Sequence, residues 1–316
     1  MKIWFASALS VLMMTALLKG SDSDNLSRSE QGHAAVLKKV KPSIVSIHSL
    51  IQKEHEAVER VGSGFIIDPD GFIITRQSII QQCDSIWVGL TDGHLYPAMV
   101  VFRDFRTDLV MLKIDAKHLQ PIPLAESASL VPPANVMILG NSLGVFPSLT
   151  MGKFSKRIGN SMLIVEGWLT PGNSGAPVLD ENGRLLGMLA GRRFQPEKKS
   201  SGISCAALPV ETIEAFYQKA FQSLKGNATW VGLTVTDLRE SSGNGVVVVD
   251  VLPGGPAYLS RIALGDTIVS MNGAVIKNGR DLGKKVRSLG KKEEIELMIK
   301  RNNQSIPYHL KTRSLF

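Results

Sequence analysis

The sequence predicts a mostly β fold, with two antiparallel barrels followed by a small module of mixed α and β structure. Short apolar, β-rich runs separated by turn residues fill the chain from residue 44 to residue 208. The spacing of apolar residues then becomes helical, and a second, shorter set of strand-like runs begins at Leu233. With 316 residues, 44% of them hydrophobic, the chain is long enough for two such units.

Six short strands at this spacing are typical of an antiparallel barrel. The turn Asp68-Pro69-Asp70-Gly71 lies between two apolar runs and predicts a hairpin. The strands predicted for the first barrel are Ile44–Leu50, Gly64–Ile67, Phe72–Thr75, Ser85–Leu90, Tyr96–Phe102 and Val110–Ile114. After a proline-containing link at 121–133, the pattern repeats in the runs Asn135–Leu139, Ser148–Arg157, Met162–Glu166, Ala176–Leu179, Leu185–Gly191 and Gly202–Leu208.

A helix predicted at Pro209–Leu224 closes the barrel domain, because its apolar residues fall near helical spacing. Lys225-Gly226-Asn227 ends this helix, and the smaller module starts near Ala228. Its predicted elements are the strands Leu233–Leu238 and Val246–Val251, a hairpin turn at Asn272-Gly273, a helix at Arg280–Leu289, and the strands Glu293–Arg301 and Ser305–Leu310.

The N-terminus predicts export. Lys2 precedes an apolar run from Ile3 to Leu18, and polar residues follow it. This run of about sixteen residues is shorter than the roughly 20 that span a bilayer and is typical of a secretory signal. We interpret residues 1–20 as a signal peptide and 21–32 as a flexible linker. The region lacks a clean small-x-small cleavage pattern, so an uncleaved membrane anchor is the alternative.

The net charge of +8 comes from 36 basic and 28 acidic residues. The excess is scattered in pairs rather than gathered into a basic face, so nucleic-acid binding is not expected. The two cysteines, Cys83 and Cys205, are far apart in sequence and are predicted to be buried free thiols rather than a disulfide. Nothing in the sequence indicates a metal or another cofactor.

The candidate chemistry lies in the stretch from Trp168 to Asp180, which contains Gly172-Asn173-Ser174-Gly175. A serine flanked by glycines between apolar runs is the arrangement of a nucleophile on a tight loop. Ser174 is therefore the candidate nucleophile, and the N–H groups of Gly172, Asn173 and Ser174 are the candidate oxyanion hole. A glycine-rich hairpin turn is the alternative interpretation of the tetrapeptide alone.

Four motifs follow one another along the chain: Gly62-Ser63-Gly64-Phe65-Ile66-Ile67-Asp68-Pro69-Asp70-Gly71, Arg106-Thr107-Asp108-Leu109-Val110-Met111-Leu112-Lys113, Gly140-Asn141-Ser142-Leu143-Gly144 and Thr170-Pro171-Gly172-Asn173-Ser174-Gly175. With these motifs in this order, the chain resembles, from about residue 33 to 313, the HtrA (DegP-like) family of exported trypsin-fold serine proteases with a C-terminal PDZ domain. The resemblance implies a trypsin-like domain at 33–226, with its C-terminal helix at 210–224, and a PDZ domain at 228–313. It also implies that Asp108 is the triad acid and Ser174 the attacking serine.

The triad histidine that the resemblance implies is replaced by Ser78. A serine hydroxyl is too short to bridge carboxylate and nucleophile and too weak a base to replace imidazole, so we expect Ser78 to be non-functional as a base. Without an imidazole to orient, Asp108 is better interpreted as a buried carboxylate that accepts hydrogen bonds from backbone N–H groups and from Ser78. The six histidines, which are poor substitutes on sequence grounds, are His33, His48, His55, His94, His118 and His309.

Trp230-Val231-Gly232-Leu233 looks like the loop with which PDZ domains hold a peptide's C-terminal carboxylate. We expect this loop to bind peptides, with packing against the barrel domain as the alternative. A second charged region contains Arg192, Arg193, Lys198 and Lys199 and is interpreted as an exposed loop rather than a site for acidic partners.

The sequence thus predicts a periplasmic or otherwise extracytoplasmic HtrA-like pseudoprotease. It is expected to be catalytically impaired and to bind unfolded or C-terminally exposed polypeptides in protein quality control. One alternative is an active serine endopeptidase that uses Ser174 with an unrecognised base. Another is a regulatory or structural subunit of a mixed HtrA oligomer. The resemblance also implies a homo-oligomer, specifically a trimer. From the N-terminal run, membrane contact is expected only if that segment is uncleaved.

Overall fold

The computed structural model describes residues 32–52, 56–126, 131–167, 170–194, 204–224, 230–238, 244–289, 293–313 and 315. The mostly β architecture expected from the sequence is confirmed: two closed six-stranded barrels precede a smaller sheet with short helices. Four predicted segments lie outside the described residues: the signal peptide, most of the linker at 21–32, the Lys225–Asn227 stretch that was expected to end the helix, and the side chains of the charged loop from Arg192 to Lys199.

The first barrel closes in the strand order β1-β2-β3-β6-β5-β4. The predicted hairpin turn joins β2 to β3, where Gly71 adopts φ +89° and donates its N–H to the Asp68 carbonyl at 3.2 Å. Phe65 and Phe72, from the two strands of this hairpin, are fully buried in the core. The strands are β1 (Ile44–Gln52), β2 (Ala57–Asp68), β3 (Phe72–Arg76), β4 (Ser85–Gly89), β5 (Leu95–Asp104) and β6 (Leu109–Ile114).

The second barrel closes in the order β10-β11-β12-β9-β8-β7. All six of its predicted strands are present, with ends shifted by a few residues. The strands are β7 (Ala134–Ser142), β8 (Val145–Ile158), β9 (Met162–Gly167), β10 (Pro177–Leu179), β11 (Leu185–Phe194) and β12 (Ser204–Pro209).

Two helices cover the barrels. Helix α1 spans residues 32–40 and was not predicted, because its short apolar face follows a polar stretch. Helix α2 (Val210–Leu224) forms as its helical spacing predicts. Phe216 of α2 packs on Phe102 of the first barrel, with ring centroids 5.5 Å apart. Burying a side chain of this size contributes roughly 1.5–3 kcal/mol, so α2 ties the two barrels together.

The smaller unit is a sheet in the order β13-β14-β15-β17-β18, with β16 paired to β15. The predicted Asn272-Gly273 turn joins β15 to β16, and both residues adopt positive φ. The elements are β13 (Leu233–Asp237), β14 (Val246–Val251), α3 (Pro256–Leu259), β15 (Thr267–Met271), β16 (Ala274–Val275), α4 (Gly279–Arg287), β17 (Glu294–Arg301) and β18 (Gln304–Lys311).

The small unit contacts strand β5 of the first barrel. The N–H of Val100 donates to the Pro253 carbonyl at 2.9 Å. Arg103 forms a two-point ion pair with Asp250, whose Oδ2 accepts from Nε at 3.0 Å. Bidentate pairs of this kind fix orientation as well as adding energy.

Both cysteines are free and buried, as predicted. Burial raises the pKa of the Cys83 thiol to about 11. A thiol in this environment stays protonated at neutral pH, so Cys83 is a packing residue rather than a nucleophile.

Candidate active site

Ser174 lies in the loop between β9 and β10 and is half-buried. Gly172 and Gly175 on either side have φ of +96° and +80°. A Cβ on Gly172 would lie 1.9 Å from the carbonyl oxygen of Asn141, so only glycine fits there. The loop therefore needs the glycines that the sequence places around its serine.

Ser63 of β2 fastens the loop from below. Its N–H donates to the Ser174 carbonyl at 2.9 Å, and its Oγ donates to the Gly172 carbonyl at 2.7 Å. The same Oγ accepts from the Asn141 N–H at 2.9 Å. One buried hydroxyl thus links the first barrel, the β7 strand end and the serine loop, and none of these bonds involves a catalytic base.

The backbone N–H groups of the loop are not equivalent. The N–H of Asn173, one of the three predicted oxyanion-hole donors, donates to the Thr170 carbonyl at 3.2 Å and is therefore already engaged within the loop. Within the described part of the chain, the N–H groups of Gly172 and Ser174 have no acceptor. These two amides are the pair available to a ligand oxygen.

Asp108 lies at the turn into β6, with φ of +58°. Its Oδ1 accepts from the Ser78 N–H at 2.8 Å and its Oδ2 from Ser78 Oγ at 3.0 Å. Ser78 lies in a single 3₁₀ turn, Gln77–Ile79, directly after β3. These are the contacts expected of a capped carboxylate, but the Asp108 side chain is 30% exposed rather than buried, because the turn lies at the barrel surface.

Arg76, the last residue of β3, lies between the Asp108 carboxylate and the Ser174 hydroxyl. Its Nη1 donates to Ser174 Oγ at 3.1 Å, and its Nη2 pairs with Asp108 Oδ2. The side chain is only 11% exposed. A guanidinium has five donors and no acceptor, and it stays charged throughout the accessible pH range. The group that bridges acid and serine here can therefore hold both but cannot accept a proton from the serine.

Sequence reasoning missed Arg76. Strand alternation is the signal that could have found it. The side chain of Thr75 points inward and donates to the Ser63 carbonyl at 2.7 Å, so its neighbour points to the opposite face, where Ser174 lies.

None of the described histidines hydrogen-bonds to Ser174; His55 lies outside the described residues. His48 forms a chain of its own, with Nδ1 2.6 Å from Glu59 Oε1 and Nε2 2.9 Å from Ser46 Oγ. This resembles a serine–histidine–carboxylate relay, but Ser46 is only 4% exposed. A substrate carbonyl cannot reach that hydroxyl, so the hydrogen bonds of His48 serve to hold β1 and β2 in register.

The Trp230–Leu233 loop of the small unit is a second place where backbone amides are open. The Gly232 carbonyl accepts from the Leu252 N–H at 3.0 Å and the Val231 carbonyl from the Ala257 N–H at 3.0 Å. In the described part of the chain, the N–H groups of Val231 and Gly232 have no acceptor. The loop is thus held through its carbonyls while these two donors stay unpaired.

Strand β13 follows this loop and lies at the edge of the sheet, because among the described strands it pairs with β14 alone. Helix α4 begins beside its far end, where the Gly279 N–H donates to Asp237 Oδ1 at 2.5 Å. The half-buried side chains of Leu233 and Val235 pack against the core of the unit. A free strand edge beside a helix, with open amides at one end, can accept a peptide as an added strand.

The described residues bring together no group of three or more histidine, cysteine, aspartate or glutamate side chains that could hold a metal ion. In the same part of the chain, no helix is both long and apolar enough to cross a membrane.

Comparison with known families matches both units. Residues 62–188 match the family described as trypsin-like peptidase domain, and residues 229–312 match the PDZ domain family. A periplasmic serine endoprotease, DegP-like, from Pseudomonas putida is 32% identical over 267 residues, covering 80% of this chain and 55% of the relative. Protease Do-like 1, chloroplastic, from Arabidopsis thaliana is 30% identical over 275 residues, covering 76% of this chain and 62% of the relative.

Solved structures agree on the fold. A serine endoprotease from Yersinia pestis covers 90% of this chain, and 98% of its own length is covered, with 24% identity and a TM-score of 0.53. The HtrA-type protease AlgW with decapeptide covers 89% of this chain, and 98% of its own length is covered, with 23% identity and a TM-score of 0.54. The chain spans 55% and 62% of the length of the two relatives named above.

Proposed function

Since the chain belongs to the HtrA/DegP-like family of trypsin-fold proteases with a C-terminal PDZ domain, we propose that it is a pseudoprotease that binds polypeptides without cleaving them. The observation that carries this proposal is the position of Arg76. Its guanidinium contacts both Asp108 and Ser174 Oγ, where proton transfer would require a base.

The chemical consequence follows from what each group can do. Attack by Ser174 requires a base within about 2.6–3.2 Å of its proton, and the group at that distance is a permanent cation. Removing a triad base costs on the order of 10⁴ to 10⁶ in turnover. The Ser78 hydroxyl donates its hydrogen bond to Asp108 and is not a base itself. We therefore expect no cleavage above background.

Binding is assigned to the PDZ domain and to the retained serine loop. The open amides of Val231 and Gly232 beside the edge of β13 support recognition of a C-terminal peptide. The partners we propose are unfolded or C-terminally exposed polypeptides in protein quality control. The names of the bacterial relatives place those proteins in the periplasm, and together with the apolar N-terminal run this supports export of this chain.

Cleavage and binding of unfolded casein test the proposal together. The wild type should bind casein and release no fragments. The single variant Ser78→His should also be silent, because the Arg76 guanidinium still fills the gap that an imidazole needs. The double variant Arg76→Ala/Ser78→His frees that gap, and we expect it to gain slow cleavage.

The matched control is the triple variant that adds Ser174→Ala, which should lose any activity gained. Circular dichroism of each variant checks that it is folded. Casein cleavage by the wild type that disappears in Ser174→Ala would show an active endopeptidase and would refute the pseudoprotease proposal.

Assembly is a separate proposal. We propose a homo-oligomer, a trimer by family resemblance, and a mixed oligomer with an active homologue is the alternative role. Native mass spectrometry of the purified protein, alone and mixed with an active homologue from the same organism, distinguishes them. Absence of mixed species would exclude the role of a subunit in mixed assemblies.

A further inference from the structure

The hydrogen bond from Arg76 reverses the role of the Ser174 hydroxyl. A serine next to a base donates its proton to that base, whereas Ser174 Oγ here accepts a bond from Nη1 at 3.1 Å. A hydroxyl has one proton and two lone pairs. With one lone pair engaged by the guanidinium, the proton of Ser174 is left for an acceptor on the open side of the loop.

The two free amides are fixed in direction by their own peptide planes. In a trans peptide the N–H points opposite to the carbonyl of the preceding residue. The Pro171 carbonyl accepts from the Leu143 N–H at 3.1 Å, and the Asn173 carbonyl accepts from the Ala176 N–H at 3.0 Å. Both carbonyls are thus tied to the protein, so the N–H groups of Gly172 and Ser174 face away from it.

The charge of the cluster has also changed. Asp108 with a neutral imidazole and a serine carries −1, whereas Asp108 with Arg76 and Ser174 carries zero. An anion at the loop would be repelled by the first arrangement and is not repelled by the second. Two N–H groups and one O–H group also exceed what a single neutral carbonyl oxygen can use.

We infer that this altered site is a receptor for a carboxylate, specifically the C-terminal carboxylate of a polypeptide. One carboxylate oxygen accepts from the amides of Gly172 and Ser174, and the other accepts from the Ser174 hydroxyl. The exposed side chains of Leu143 and Pro171 beside the loop favour an apolar chain terminus over a small free anion. The inference rests on the proposal that this domain binds polypeptides without cutting them.

Selective ¹⁵N labelling of glycine and serine in the full chain tests it, because each site has its own reporter. The amides of Gly172 and Ser174 report on the altered site, and the amide of Gly232 reports on the PDZ loop. The probes are an apolar heptapeptide with a free C-terminus, the same peptide as its C-terminal amide, and sodium acetate.

The free-acid peptide should shift the Gly172 and Ser174 resonances, and the amide should not. Arg76→Gln should weaken this binding at least tenfold and leave the Gly232 titration unchanged. The control Arg106→Gln removes the same charge from the exposed part of the turn that holds Asp108 and should have no effect at either site.

Equal shifts from the acid and amide peptides would overturn the inference. So would shifts at Gly232 without any at Gly172 and Ser174, an outcome that leaves the PDZ part of the proposed function intact. If acetate shifted the Gly172 and Ser174 resonances as much as the free-acid peptide does at equal concentration, the assignment to polypeptide termini would be overturned. A carboxylate-dependent shift at Gly172 and Ser174 with a silent Gly232 would support the inference while refuting peptide binding by the PDZ loop.

Discussion

The contact between Arg76 and Asp108 should be measurably stronger than a surface ion pair. It is the contact that keeps the guanidinium against Ser174, so its strength decides whether the site is locked in its present arrangement. A double-mutant cycle with Arg76→Met, Asp108→Asn and the combined variant isolates the energy of the pair from other effects of each change.

The expected magnitude follows from exposure and hydrogen bonding. Exposed pairs contribute about 0–1 kcal/mol, and removing one partner of a fully buried pair costs about 3–5 kcal/mol. The side chains here are 11% and 30% exposed, and Asp108 keeps two bonds from Ser78 when Arg76 is removed. We therefore expect a coupling energy of about 1.5–2 kcal/mol.

Urea unfolding of the four proteins at neutral pH gives this energy, with tryptophan fluorescence as the probe, to which Trp87 of the first barrel contributes. The matched control is the same cycle on Arg157 and Glu211, whose side chains are each 31% exposed. That pair should give below about 1 kcal/mol. If the Arg76–Asp108 coupling were no larger than the control, the guanidinium would not be held between acid and serine, and the interpretation of the site would fail.

Three further predictions concern stability and reactivity. Gly175→Ala should lower the free energy of unfolding by more than about 2 kcal/mol, because the added Cβ would lie 2.2 Å from a backbone oxygen of β2. Gly144→Ala also has positive φ but open space, so denaturant titration should show a loss of only about 1 kcal/mol. The buried Cys83 thiol, with its pKa raised to about 11, should react with a disulfide reagent at pH ~8 only as fast as the protein unfolds, which stopped-flow absorbance would show. Burial alone would raise the pKa of Asp266, but hydrogen bonds from Arg301 lower it below the ordinary 3.8. The ionised carboxylate therefore stabilises the PDZ domain above pH 3.8, and this contribution is lost as the pH falls through the folded-state pKa. Thermal unfolding should therefore separate the wild type from Asp266→Asn at neutral pH, and the difference should shrink as the pH falls below the ordinary pKa of 3.8.

Much of the fold could be predicted because the local signals agree with the global topology. The strands of both barrels show alternating or continuous apolar runs, and residues such as Gly71 and Gly273 mark turns that need positive φ. Helix α1 was missed because it is short and follows a polar segment, so its stability comes from packing. Val36 and Val40 of this helix contact the turn at Gly183, which lies far along the chain.

The candidate site was harder to predict than the fold. The motif comparison points to Ser78 as the position expected of the triad histidine, because that position is counted from the hairpin, but a motif has no information about how far a side chain reaches. The Arg76 side chain is long enough to fill the space between Asp108 and Ser174, although a side chain at position 78 was expected there. The unequal roles of the three loop amides were also hidden, because only the turn conformation, in which the Asn173 N–H bonds to the Thr170 carbonyl three residues earlier, shows which N–H is occupied.

The contacts that hold the serine loop in place do not depend on a catalytic base. The serine loop is held by Ser63, by the Asn141 backbone and by two glycines whose neighbours leave no room for a side chain. All of these contacts stabilise the folded state whether or not an imidazole is present. On the proposal that Ser78 stands in place of the triad histidine, that substitution removes proton transfer and leaves the amides in place, while Arg76 pairs with Asp108. Because fold stability depends on contacts other than those that catalysis would need, the proposed absence of a base is compatible with a rigid binding surface.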